Sequence, residues 1–118
     1  MMMLAIARIQ VPGLHAWGHQ PNTEPRRYLG NQHRHVFHVE AAVRVTHYDR
    51  DVEILELGHA VSQCLRQQFN VLDTGELDFG SQSCEQIALF ITQVVTRYDF
   101  EYIRVLEDNE NGAEWRRD

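Results

Sequence analysis

The stretch from residue 33 to 46, HRHVFHVEAAVRVT, constrains the fold more than any other part of this chain. Its period is two. His33, His35, Phe37, Val39, Ala41, Val43 and Val45 share one face, and Arg34, Val36, His38, Glu40, Ala42 and Arg44 share the other. Successive side chains of an extended strand point to opposite sides of a sheet, so the pattern predicts a long strand with one apolar and one more solvent-like face. Such a strand needs a neighbour for its backbone. Residues 3–11 (MLAIARIQV) supply one by rough alternation, with Pro12-Gly13 expected to stop it, and the two strands form a natural hairpin pair. The polar stretch 15–32 between them carries Trp17, Pro21 and Pro25. It is long for a structureless connection, which is the character of a functional loop or lid.

Periodicity then changes. Ile54, Leu57, Val61, Cys64, Leu65 and Phe69 recur at helical spacing, predicting a helix over 53–69 after a charged turn from His47 to Asp51. Residues 70–80 are irregular, with a short extended piece at Leu77 to Phe79. Ser83 and Gln86 form an S-x-x-Q capping box before a second helix, whose stripe is Cys84, Ile87, Ala88, Ile91, Val94, Val95 and Tyr98. Residues 101–107 alternate as a third strand. Asn109-Glu110-Asn111-Gly112 is expected to turn on a glycine with positive φ, and 113–117 to return as a fourth strand. The order β β α α β β implies an α+β fold: a four-stranded antiparallel sheet with both helices on one face. A chain of 118 residues, 43% hydrophobic, fits a single domain over 1–118.

Charge narrows the partners. A net charge of −6 supplies no overall field for nucleic acid or an anionic membrane surface. The stretch from Arg26 through Arg34 is the one local basic patch, and the absence of lysine rules out a catalytic lysine. Cys64 and Cys84 form no CxxC pair and fall in helical patterns, so buried reduced thiols are expected rather than a disulfide. The opening apolar run is shorter than a signal-peptide core and lacks a basic flank, and no run reaches the length of a membrane span. The chain therefore reads as cytoplasmic.

The seven histidines carry the chemistry. In a strand, His33 and His35 point the same way, roughly 6.5–7 Å apart. Two imidazoles so placed can converge on one metal ion. A third from the neighbouring strand would complete a facial set, and three protein ligands plus water is the pattern of a catalytic zinc site. The plainer alternative is a pair of ordinary, partly buried strand histidines. With neither cysteine beside them, the site would be all-nitrogen.

Four blocks of sequence, in order, resemble the 6-pyruvoyl and 6-carboxy tetrahydropterin synthase family. They are Val11-Pro12-Gly13-Leu14-His15; Leu29-Gly30-Asn31-Gln32-His33-Arg34-His35-Val36-Phe37-His38-Val39, where the family has C-G-x-x-H-G-H; Val52-Glu53-Ile54-Leu55-Glu56-Leu57, similar to I-D-F-x-x-L; and Ser83-Cys84-Glu85-Gln86-Ile87-Ala88 with Val105-Leu106-Glu107, similar to T-S-E-x-x-A and V-x-E-T. The resemblance covers the whole chain. It implies the tunnelling fold, with strands of several subunits assembled around a barrel as a trimer or hexamer. It also implies zinc (Zn2+) held by His15, His33 and His35, and a pterin or purine ring received by Glu107. That last role needs one carboxylate accepting two parallel N–H donors, a charge-assisted bidentate pair; the alternative is a solvated strand-end glutamate.

The departures are specific. The family's cysteine is Leu29 here, which cannot move a proton, and the glycine of H-G-H is Arg34. Of the family's Asp-His pair, Leu72-Asp73-Thr74 offers only Asp73. His19, His38, His47 and His59 have side chains suited to proton transfer, and His19, close to Trp17, is the first candidate. Arg34 and Arg26 or Arg27 are candidates to meet a phosphate or carboxylate of the substrate. Cys84 lies in a helix first turn, where the dipole lowers a thiol pKa, yet also on the apolar stripe. Glu85 suits the helix N-terminus. The expected function is a zinc-dependent, lyase-like or hydrolytic enzyme on a pterin or purine-derived small molecule. Its rivals are a non-catalytic metal- and ring-binding module and a structural domain whose histidines bind nothing.

Overall fold

The computed structural model describes residues 2–17 and 30–118. His19, Arg26, Arg27 and Leu29, with the lid expected around them, lie outside the described residues. The chain is α+β. Strands β1 (Leu4–His15) and β2 (His33–Arg44) precede helix α1 (Ile54–Gln68); the two-residue strands β3 (Asn70–Val71) and β4 (Leu77–Asp78) come next, then helix α2 (Cys84–Val94) and strands β5 (Phe100–Glu107) and β6 (Asn111–Arg116). The strands form one open six-stranded sheet in the order β3-β4-β1-β2-β5-β6.

This corrects the expected four-stranded antiparallel sheet. The four long strands do pair antiparallel, β1 with β2, β2 with β5 and β5 with β6. The segment between the helices adds a small β3–β4 hairpin, and β4 runs parallel to β1 opposite Gly13 and Leu14, making the sheet mixed. The short extended piece expected at Leu77 to Phe79 is β4, but two residues are too few for periodicity to show which strand they join.

β1 runs through Pro12-Gly13 instead of stopping there. The Leu14 carbonyl accepts from Phe79 N on the β4 side, so Pro12, two residues earlier, points its nitrogen the same way, away from β2. Its missing N–H therefore removes no bond from the β1–β2 ladder. Gly13 sits under the Phe79 ring, where a Cβ would lie 2.5 Å from Phe79 Cε2. The second turn also differs from expectation. Asp108 and Asn109 take the positive φ values, 53° and 59°, while Gly112 lies inside β6. Gly112 is required for closeness: a Cβ there would meet the Val105 carbonyl oxygen at 1.9 Å.

Both helices cover the face of the sheet that carries Val11, Phe37, Val39, Ala41, Val43, Ile103 and Val105, and Leu57, Val61, Leu65, Ile87, Ala88 and Ile91 close the core over it. Ser83 caps α2 with the expected capping box, and Glu53 caps α1. Ile54 and Val94, at the ends of the helical stripes, are exposed. The opposite face is less solvent-like than its sequence suggests. Glu40, Ala42 and Tyr102 are buried there without a helix above them. Register aligns Arg8, Glu40, Arg104 and Glu114 in one row across the four long strands, with charges alternating. Arg8 Nε donates to Glu40 at 2.7 Å, Tyr102 O–H donates to the same carboxylate, and the Arg104 and Arg116 guanidinium groups lie over the Tyr102 ring. The long polar side chains thus roof their own face. Cys64 and Cys84 are buried free thiols, as expected. Among the described residues no helix is long and apolar enough to cross a membrane.

Candidate metal centre

The β1–β2 register builds the site. His15, the last residue of β1, lies directly opposite His33, the first of β2, and His35 lies opposite Gly13. All three point to the helix-covered side, because odd positions of both strands face that way. Their ring centroids are 4.6 Å (His15–His33), 5.0 Å (His33–His35) and 5.4 Å (His15–His35) apart. Each ring offers a nitrogen within 4.8 Å of those of the other two, a group that could hold a metal ion. The buried Phe37 ring forms the floor, edge-on to His15 and His35.

Each ring is oriented through Nδ1. His15 Nδ1 bonds the Gln82 carbonyl at 2.9 Å, His33 Nδ1 the Asn31 carbonyl at 2.9 Å, and His35 Nδ1 the Asp108 carboxylate at 2.7 Å. All three partners are oxygens that only accept, so in the neutral form of each ring Nδ1 carries the proton and Nε2 the lone pair. Hydrogen bonds of this kind, from the far nitrogen of an imidazole to a carbonyl or carboxylate, surround protein metal sites.

Glu107, at the end of β5, completes the arrangement. Its carboxylate oxygens lie 3.1 Å from His15 Nε2 and 3.4 Å from His35 Nε2. Both nitrogens of each of these rings therefore face acceptors, and a neutral imidazole has one N–H to give. A cation among the three rings would satisfy these facing lone pairs. For His15, burial pushes the pKa below the ordinary histidine value; His33 and His35 add to this, against the Gln82 carbonyl and Glu107. A neutral ring beside a cation fits that environment, and the residues present fit a metal.

The sequence matches no known family model and no curated protein.

Around the three rings opens a cleft of about 1000 Å³, lined among the described residues by Trp17, the segment 81–86, Glu107, Asn111 and Gly112 as well as the histidines. Cys84 faces it as a protonated thiol. Burial first, then the Glu107 and Glu85 charges, push its thiol up to about 12, and Sγ lies 3.7 Å from Glu107 Oε1 as a donor. Glu85 sits in the first turn of α2, as expected for a residue that stabilises a helix N-terminus.

Other candidates are placed elsewhere. Asp73 is exposed in the turn between β3 and β4 and does not line the cleft. Arg34, on the opposite face of β2, is engaged by Glu76 at 2.8 Å. His38 lies on that same opposite face, His47 bonds within its own turn, and His59 is exposed on α1. Sequence reasoning missed Asp108 and the Gln82 and Asn31 carbonyls. The one local hint was a carboxylate directly after Glu107; the carbonyls leave no signal, since any residue has one.

Proposed function

We propose that this chain is a zinc-binding protein similar to the 6-pyruvoyl and 6-carboxy tetrahydropterin synthases, with the metal on His15, His33 and His35 and a pterin or purine-derived ring held in the cleft by Glu107. The observation that carries the reading is the donor count: three imidazoles bond outer oxygens through Nδ1, and the Nε2 atoms of His15 and His35 meet the Glu107 carboxylate instead of a donor. An all-imidazole set suits zinc, and three protein ligands leave a position for water or substrate. Bound zinc would polarise a carbonyl or hydroxyl, or activate water. Glu107 lines the same cleft, so a ring anchored there lies against the histidines. The β β α α β β order of long elements supports the tunnelling fold. Among the described residues, β6 and residues 4–12 of β1 have strand edges without partners. Such edges support a homo-oligomer.

A non-catalytic metal- and ring-binding module is the second reading, and specific observations favour it. Asp73 stands away from the cleft, the Cys84 thiol stays protonated, and Leu29 replaces the family's cysteine. Purified wild-type protein should carry stoichiometric zinc after dialysis, and His35→Ala should carry none, as measured by elemental analysis. Retention of zinc by His35→Ala would overturn the site. Mixing the zinc-loaded protein with reduced and oxidised pterin triphosphates, and following ring absorbance, separates turnover from binding alone.

A further inference from the structure

We infer that Asp108 is a positioning residue that sets the tautomer of His35 and so keeps its Nε2 available to a metal ion. The part concerning metal affinity rests on the zinc reading above; the part concerning the tautomer does not.

Asp108 takes a left-handed backbone, φ 53°, immediately after β5. That conformation costs a non-glycine residue energy, although Asp and Asn tolerate it best. Here it turns both edges of the residue onto β2. Asp108 N donates to the Val36 carbonyl at 2.8 Å, Oδ1 accepts from Val36 N at 2.9 Å, and Oδ2 bonds His35 Nδ1 at 2.7 Å. Two of these contacts merely tie β5 to β2. The third is different in kind, because an ionised carboxylate can only accept. Oδ1 is occupied by the Val36 N–H, which leaves Oδ2 to accept from the His35 ring. The proton of a neutral His35 must then sit on Nδ1, with the lone pair on Nε2 turned toward His15 and Glu107.

Asn and Ala at this position separate positioning from scaffolding. In Asp108→Asn the amide oxygen keeps the Val36 N–H, and its NH2 then faces His35 Nδ1 as a donor. That favours the Nε2–H tautomer, which cannot ligate. Asn also keeps the left-handed backbone at little cost. Asp108→Ala strains that backbone and loses both bonds, but water can accept the Nδ1 proton. A scaffolding role ranks Ala as the worse variant, whereas a positioning role ranks Asn as the worse one for metal.

The test uses the full chain with 15N-labelled histidine. In metal-free wild type the ring nitrogen shifts of the neutral form of His35 should report Nδ1–H, and in Asp108→Asn they should report Nε2–H. Zinc affinity should fall by roughly 10–100-fold in Asp108→Asn and by less in Asp108→Ala, while thermal stability of the metal-free forms falls more in Asp108→Ala. An unchanged His35 tautomer in Asp108→Asn, or wild-type zinc affinity in that variant, would overturn the inference. A wild type that binds no zinc yet shows the tautomer switch would sink the zinc reading and leave the positioning role standing.

Discussion

Glu40 carries a charge into the sheet where no helix covers it, and its neighbours decide whether that is affordable. Burial pushes its pKa up, but the bonds from Tyr102 and Arg8 and the Arg8 and Arg104 charges outweigh this and leave it below the usual 4.5. A carboxylate whose folded pKa is depressed contributes stability above its unfolded value, and that contribution is lost as pH falls through the folded one. Tyr102 is the mirror case. Burial and the Glu40 bond raise it above 10.0, so its contribution holds below that pH and is lost as pH rises through the folded value. Denaturant titrations across pH should therefore show wild-type stability declining below pH ~4.5 more steeply than that of Glu40→Gln. Tyr102→Phe, which strips a hydrogen bond from a buried carboxylate, should cost about 1–3 kcal/mol at neutral pH in the same measurement.

At the scale of elements, β1 depends on a contact that comes from far along the chain. Gly13 accommodates the buried Phe79 ring, which is wedged between Phe37 and Phe69 and has nowhere to retreat. Gly13→Ala should lower stability by about 1–3 kcal/mol, read as a reduced denaturation midpoint, and would weaken the proposed zinc site by displacing His15 two residues on. Ser83→Ala, which breaks the capping box of α2, should cost about 1 kcal/mol in the same assay. These contacts also explain what could be read in advance. Period-two and helical patterns gave the long strands, both helices and the paired orientation of His33 and His35, because each is a local property. Pro12-Gly13 read as a stop because its local chemistry says so. The reasons it is not one, a nitrogen turned away from β2 and a ring from beyond α1, exist only after folding. Asp108 was invisible as a partner of His35 for the same reason, since the β2–β5 register makes the meeting.

Across the whole molecule, the three imidazoles fasten parts that are distant in sequence. His15 and His33 sit on separate strands, His15 is tied to Gln82 before α2, and His35 is tied to Asp108 after β5. A cation bound by the folded form alone should raise stability by about 2.7 kcal/mol at a hundredfold excess over its Kd. Scanning calorimetry should thus show a higher midpoint with zinc, reversed by a chelator and absent in His35→Ala. The facing of His15 on His33 has a consequence for how the chain finds this arrangement. Sliding β2 by one step along β1 would throw both of its imidazoles to the far side of the sheet. A metal held on three nitrogens as proposed would ignore every such misthreaded hairpin and reward one alignment, so metal supply during refolding would act as a proofreader of strand order.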